Sequence, residues 1–496
     1  MPRCTTLIRN ALVVDGTGAA PQAGDVAIEA GRILAVDAAG ALRDYRARET
    51  LDADGKVLAP GFIDVHTHDD LYVIRNPEML PKLSQGVTTV IAGNCGISAA
   101  PVQLRGAPPD PMNLLGGPES FRYPTFASYV AAIEEARPSI NVAALVGHTS
   151  LRSNAMDCLD RSATSSQIAA MRAQLQEALS HGALGLSTGL AYMSAFSAST
   201  EEVTALAQSL AEAGGIYTTH LRSEADAIVQ ALDEACRIGS DAKVPVVISH
   251  LKCAGIANWG RSTEVLEWLD RARESQPVGW DCYPYAAGSS TLDLRQVDER
   301  VTVRITWSTP HPEKAGQTLA QIAESWGVSH REAAQRLQPA GAIYHSIAEE
   351  DMRSILSHPA TMIGSDGLPN DPRPHPRLWG TFPRVLGHYS RQLGLFPLAE
   401  AVRKMTSLPA ERFRLADRGR IRAGYHADLV LFDAEKIGDR ATFDDPTLPS
   451  VGIESVWVNG MIAYRNQNPT GQRAGRFLSR ASGANKEIAE SYAAFN

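Results

Sequence analysis

A (β/α)8 barrel of the α/β class, TIM-like and carrying a small β-sandwich domain, is predicted for this 496-residue chain by three features. Short β-rich runs crowd both ends of the sequence. The middle alternates apolar strand-like runs with amphipathic helical stretches. Eight such strand-like runs can be counted, the number that closes a parallel barrel.

The first 60 residues give LIRNALVVDGTG, DVAIEA, GRILAVDA and KVLAPG, strand-like runs separated by Gly and Asp turn signals. The same character returns in GYHADLVLFDA and ESVWVNGMIAYRN. Residues 1–60 and 414–480 are therefore expected to form one small β domain. Residues 61–413 are expected to form the barrel. Its eight strands read as GFIDVHTH, TTVIAGNCG, INVAALVGH, GALGLSTGL, GIYTTHLRS, VPVVISHLK, PVGWDCYPY and TMIGSDG. Near-continuous apolar strands suit a parallel sheet covered by helices on its outer face. Between them, stretches such as SSQIAAMRAQLQEALSHG and STEEVTALAQSLAEAGG repeat apolar residues at three- and four-residue spacing, the helical signature. The stretch from Ala287 to Pro359 exceeds one crossover, so an inserted subdomain over residues 287–345 is expected at the barrel mouth.

Composition narrows the function classes. The chain is 44% hydrophobic and 21% charged, enough to bury a large core. Its net charge is −8 and it has no basic cluster, which argues against nucleic acid or an anionic membrane as partner. No apolar run reaches the roughly 18 residues of a membrane span. The N-terminal MPRCTTLIRN reads as a strand, without the apolar core of a signal peptide. Six cysteines, at 4, 95, 158, 236, 253 and 282, form no CxxC pair, so a reducing, cytoplasmic location is expected.

Active sites of such barrels lie at the C-terminal ends of the strands. Strand one ends in His66 and His68, strand two in Cys95, strand three in His148, strand four near Ser187. Strand five ends in His220, strand six in His250, strand seven in Tyr283 and strand eight in Asp366. Residues i and i+2 of a strand share a face, so both histidines of His66-Thr67-His68 can point at one ion. Taken singly, each of these residues has a bland reading: a satisfied core histidine, a buried inert thiol, a turn aspartate. Taken together, imidazole, thiolate and carboxylate at five strand ends point to a Zn2+ site. His148 can equally be structural.

The motifs APGFIDVHTHDD, SQGVTTVIAGNCGIS, GLSTGLAY, TTHLRSE, ISHLKCAG and GSDG resemble the N-acyl-D-amino-acid deacylases, or D-aminoacylases, of the amidohydrolase superfamily. TWSTPHPEKAG, RPHPRLWGTFPRVLGHY, MTSLPAERF and GRIRAGYHADLVLFD extend the resemblance over essentially the whole chain. Many superfamily members bridge two metals with a carboxylated lysine from strand four, and GALGLSTGL has none. The resemblance implies that Cys95 takes that place. It further implies that Cys95, His220 and His250 hold a tight zinc, and that His66 and His68 share Cys95 in a weaker second site. Asp366 falls at the catalytic base. The contacts to the substrate α-carboxylate fall on Lys252, Tyr283, Ser289 and Arg377.

The implied activity is zinc-dependent hydrolysis of a small N-acyl-D-amino acid. Tyr344 and Ile347 are expected as apolar walls, which favours hydrophobic D-residues. An inward Arg295 would favour N-acyl-D-glutamate or N-acyl-D-aspartate instead. Two rivals remain open at this point. A hydantoinase-like cyclic-amide hydrolase usually carries the strand-four lysine that is missing here. A non-catalytic scaffold on the same fold would be expected to have lost ligands. No P-loop and no GxGxxG after a strand is present to suggest a nucleotide enzyme.

Overall fold

A computed structural model describes residues 1–104 and 106–480. Its centre is the barrel. Strand one (Phe62–Asp64) pairs in parallel with strand two (Val87–Ala92), which pairs with strand three (Asn141–Ala144, continued at Val146–Gly147). Strands four to eight follow as Gly185–Gly189, Ile216–His220, Val246–Ile248, Val278–Cys282 and Thr361–Ile363, each parallel to the last. The ring closes just beyond the strand ends. There Thr67 forms a parallel bridge with Gly367, and the Asp366 amide donates to the His66 carbonyl at 2.8 Å. The expected fold class is thus the observed one.

Alternation explains what fills the barrel. Ile63, Val65, Ile91, Leu145, Leu184, Val247 and Met362 point inward at the lower levels, where Phe413 and Leu415 plug the floor. Apolar side chains close the bottom, so the polar side chains of the sequence collect at the opposite, C-terminal mouth. Outer helices take their boundaries from local signals. Ser165–Ser180 opens on a Thr164–Gln167 capping box, and Thr200–Ala213 runs from a Ser199 cap to Gly214 in the left-handed conformation.

The chain ends build one nine-stranded sheet. The N- and C-terminal parts join where Val57–Pro60 pairs antiparallel with Leu429–Phe432. Ile8, Val26, Leu58, Leu429 and Trp457 form its own core. A buried polar knot ties it to the barrel: Asp428, ion-paired with Arg418, accepts from Asn141 of strand three at 3.2 Å.

Between strands seven and eight, Gly288–Thr291, Val303–Ser308 and Ala340–Tyr344 form a three-stranded antiparallel sheet with the last of these in the centre. Helices Leu319–Trp326 and His330–Leu337 pack on it around Ile305, Ile322, Ala333 and Leu337. Tyr344, expected as a pocket wall, belongs to this core. Its hydroxyl bonds the Thr291 carbonyl and the Asp293 amide. Among the described residues no helix is long and apolar enough to cross a membrane.

Candidate metal centre and substrate pocket

Six donors read from the sequence converge at the mouth in two clusters that share Cys95. His66, His68, Cys95 and Asp366 form one, and Cys95, His220 and His250 the other, with the ligand atoms of each within 4.8 Å of one another. Cys95 Sγ lies 3.1 Å from His66 Nε2 and 3.3 Å from His250 Nε2. Asp366 Oδ1 lies 3.2 Å from His68 Nε2 and 3.4 Å from His66 Nε2.

The donors sit just past the strand ends, on turns that the sequence makes possible at a conformational cost. Cys95, His250 and Asp366 all have positive φ, at 53°, 36° and 50°. Non-glycine residues rarely adopt this region, and such strain gathers at functional sites. Around Cys95 the turn is Gly-Asn-Cys-Gly. A Cβ on Gly96 would lie 2.6 Å from the Gly189 amide nitrogen, and φ there is +77°, so only glycine fits. Two side chains brace this turn. Ser187 of strand four accepts from the Gly96 amide at 3.0 Å and donates to the Gly93 carbonyl. Asp70 accepts from the amides of Gly93 and Ala99.

Electrostatics favour the ionised donors. Burial alone would raise the Cys95 thiol, but the imidazoles of His66 and His250 outweigh it and hold the thiol well below its ordinary range. Burial likewise opposes ionisation of Asp366, and Arg377 and His66 overcome it. His68 shows the converse: burial pushes it down, yet Asp366 and Cys95 raise it to about 9. Acidic donors thus attract protons onto their imidazole neighbours. A cation bound among them would take over that charge balance. The donor set of imidazoles, thiolate and carboxylate fits zinc.

Residues that sequence reasoning passed over orient the donors. Asp281 of strand seven faces His66 Nδ1 at 3.4 Å and accepts from the His250 amide at 3.0 Å. Glu224 lies 2.9 Å from His250 Nδ1 and 3.6 Å from His220 Nε2. Carboxylates behind metal-binding imidazoles fix the tautomer and the ring orientation. Tyr192 packs at a tilt against His220, with ring centroids 4.8 Å apart, and reaches Ser290 of the inserted sheet through its hydroxyl. A weak signal for Glu224 existed, since it stands four residues after His220. Asp281 had none beyond its place in strand seven.

Beside the clusters lies a buried group of donors. Arg377 is fully buried; its Nη2 contacts Asp366 Oδ2 at 2.8 Å and donates to the Ser289 carbonyl at 3.1 Å. Among the described residues its Nε and Nη1 have no hydrogen-bond partner, nor do the hydroxyls of Tyr283 and Ser289. The Arg377 guanidinium lies over the Tyr283 ring, 4.5 Å from its centroid. Lys252 stands nearby, bonded to Glu224 at 2.5 Å. Arg295 is turned aside: its guanidinium grips Asp293 with two nitrogens, donates to the Ala191 carbonyl and stays half exposed. His148 is absent from the group. It begins the helix after strand three and pairs with Glu202 at 3.0 Å inside a buried cluster with Arg152.

A barrel with shared thiolate, imidazole and carboxylate donors at its C-terminal mouth defines a protein of the metallohydrolase class. Comparison with known proteins specifies it further. A model of the "Amidohydrolase family" matches residues 49–464. The chain is 49% identical to a D-aminoacylase of Alcaligenes xylosoxydans xylosoxydans, over 96% of this chain and 98% of that one. It is 47% identical to an N-acyl-D-aspartate deacylase of the same organism, over 95% and 94%. A crystal structure of N-acyl-D-glutamate deacylase from Bordetella bronchiseptica, complexed with zinc and a phosphonate mimic of the tetrahedral intermediate, superposes with a TM-score of 0.92 at 46% identity, covering 97% of this chain and all of that one. The chain belongs to the amidohydrolase family, and within it to the D-aminoacylases.

Proposed function

We propose that the protein is a zinc-dependent N-acyl-D-amino-acid amidohydrolase, acting on small substrates in the cytoplasm and preferring hydrophobic side chains. The observation that carries this reading is the set of buried, unpartnered donors beside the metal clusters. Leaving buried donors unsatisfied is costly, so their presence implies a ligand that satisfies them. Free guanidinium N–H groups beside two hydroxyls suit a carboxylate. Arg377, Tyr283 and Ser289, with Lys252 adjoining, would therefore hold the substrate's free carboxylate and so present one enantiomer's amide to the donor clusters.

In this reading Cys95, His220 and His250 would hold the tight zinc, and His66 and His68, sharing Cys95, would offer a weaker second site. Bound zinc would polarise the acyl carbonyl and lower the pKa of a water molecule toward about 7. Asp366 takes the proton of the attacking water through the oxygen that faces His66 and His68. It returns that proton to the departing amine, so that one carboxyl group serves as base and then as acid. Arg377, on its other oxygen, keeps it ionised for the first step. Asp281 and Glu224 hold the imidazoles in place throughout.

The pairing of Arg295 supports the hydrophobic preference. Its charge is already matched by Asp293, so an acidic substrate side chain would have to displace that pair. The test is a rate comparison at equal zinc content of N-acetyl-D-Met, N-acetyl-L-Met, N-acetyl-D-Glu and N-acetyl-D-Asp. Fast release of D-Met with the L-enantiomer untouched is expected. Cleavage of the acidic substrates alone would overturn the preference, and cleavage of L-Met would overturn the carboxylate reading.

A further inference from the structure

The loop between Leu429–Phe432 and Ile453–Val458 belongs by sequence to the small β domain, yet it reaches the barrel mouth. Phe443 at its tip wedges between two histidines. It meets His345 with ring centroids 4.7 Å apart and His375 edge-on at 5.0 Å. Ion pairs anchor the loop on both flanks. Asp439 holds Arg384 at 3.1 Å, and Asp444 holds Arg304 of the inserted sheet at 3.0 Å.

The two histidines are not arbitrary neighbours. His345 directly follows Tyr344, the last residue of the inserted sheet. His375 binds the other end of the insertion, donating from Nε2 to the Ala287 carbonyl at 3.0 Å. Its Nδ1 accepts from the Arg377 amide at 3.0 Å. Both exits of the insertion and the backbone of Arg377 therefore meet at one aromatic side chain. Burial and the nearby Arg377 keep His375 well below the ordinary histidine range, so it stays neutral, as this donor–acceptor pattern requires.

We propose that Phe443 is a positioning residue for substrate recognition: it locks the root of the insertion against the loop carrying Arg377, and thereby sets the affinity for the substrate's carboxylate. This rests on Arg377 being the carboxylate contact. Nothing in the proposal requires Phe443 to touch substrate. Its effect is transmitted through His375 to the Arg377 backbone, and through His345 and Ala287 to Ser289, whose carbonyl holds the Arg377 side chain.

The test is a double-variant cycle with two substrates, N-acetyl-D-Met and its carboxylate-free analogue N-acetyl-D-methioninamide, with zinc content measured throughout. Phe443→Ala should raise KM for N-acetyl-D-Met on the order of tenfold, as small misplacements of binding groups do. It should lower kcat/KM for the analogue several-fold less than for N-acetyl-D-Met, because the Arg377–Asp366 contact serves both substrates and the carboxylate contact only one. Added to Arg377→Met, it should cost nothing further, because the group it positions is gone. Phe443→Tyr should retain the parent KM. If the alanine variant fails to fold, Phe443→Leu, which keeps most of the volume and loses the ring edge, reads the same effect. Equal losses on both substrates, additivity with Arg377→Met, or an unchanged KM would overturn the proposal. Failure of the underlying reading shows separately, as an Arg377→Met variant with unaltered KM for N-acetyl-D-Met.

Discussion

Replacing Lys82 by methionine removes a charge from the point where barrel strands one and eight are held together. Lys82 is fully buried. Its ammonium lies 2.9 Å from Asp64 Oδ2, 3.2 Å from Asp69 Oδ2 and 2.9 Å from Ser365 Oγ. Asp64 in turn accepts from the Ser365 amide at 2.8 Å. Among the described residues the Lys82 ammonium is the cation that lies against Asp69 and offsets the cost of its burial. Methionine fills similar space without the charge, and two carboxylates then face each other unpaired. Breaking a buried pair by removing one partner costs about 3–5 kcal/mol. Urea denaturation of Lys82→Met at matched zinc content should show a loss of that order. Adding Asp69→Asn to Lys82→Met should recover part of it, because one of the two uncompensated charges, and the repulsion between them, is then removed. Turnover should fall as well, since Ser365 precedes Asp366 and His66 and His68 flank the same junction. A loss below about 1 kcal/mol, well under that range, or a double variant less stable than Lys82→Met alone, would refute the reasoning.

Other expectations are independent of that network. Asp366→Asn should retain zinc and lose roughly 10²- to 10⁴-fold in kcat, the usual loss on removing a proton-transfer group; zinc analysis beside steady-state kinetics checks both halves. Asp371, buried in the loop before Arg377, is pushed by burial up to about 7. Between the ordinary value near 4 and 7, the unfolded chain has released this proton while the folded chain keeps it, so rising pH lowers stability across that window. Asp371→Asn lacks the group, so its melting temperature relative to the parent should rise between pH 5 and pH 7.5. A difference that is flat with pH would contradict the assignment.

The architecture was legible because its signals are local and repeated. Eight apolar runs with helical stretches between them leave few alternatives to a parallel barrel, and β-rich ends with turn residues mark a second domain. The donors could be picked out for the same reason: the barrel fixes where function collects, and only residue types at strand ends had to be compared. What stayed hidden depends on contacts between distant segments. Asp281 and Lys82 look like any strand aspartate or helix lysine until strands one, six, seven and eight are brought together. Phe443 sits in a polar loop whose sequence gives no hint that it reaches His345 and His375. Tyr344 was read as a pocket wall because it is aromatic and near the mouth, and its hydroxyl instead finds partners within the inserted sheet. Arg295 could point either way by sequence, and in the structure it pairs with the neighbouring Asp293.

The most direct test of the central claim is zinc reconstitution of metal-depleted protein, following release of D-Met from N-acetyl-D-Met, in the parent and in Cys95→Ala. The account expects turnover to appear with added zinc in the parent, and weak zinc binding with almost no turnover in the variant. Full-rate hydrolysis without metal, or a Cys95→Ala protein that binds zinc and turns over like the parent, would contradict it.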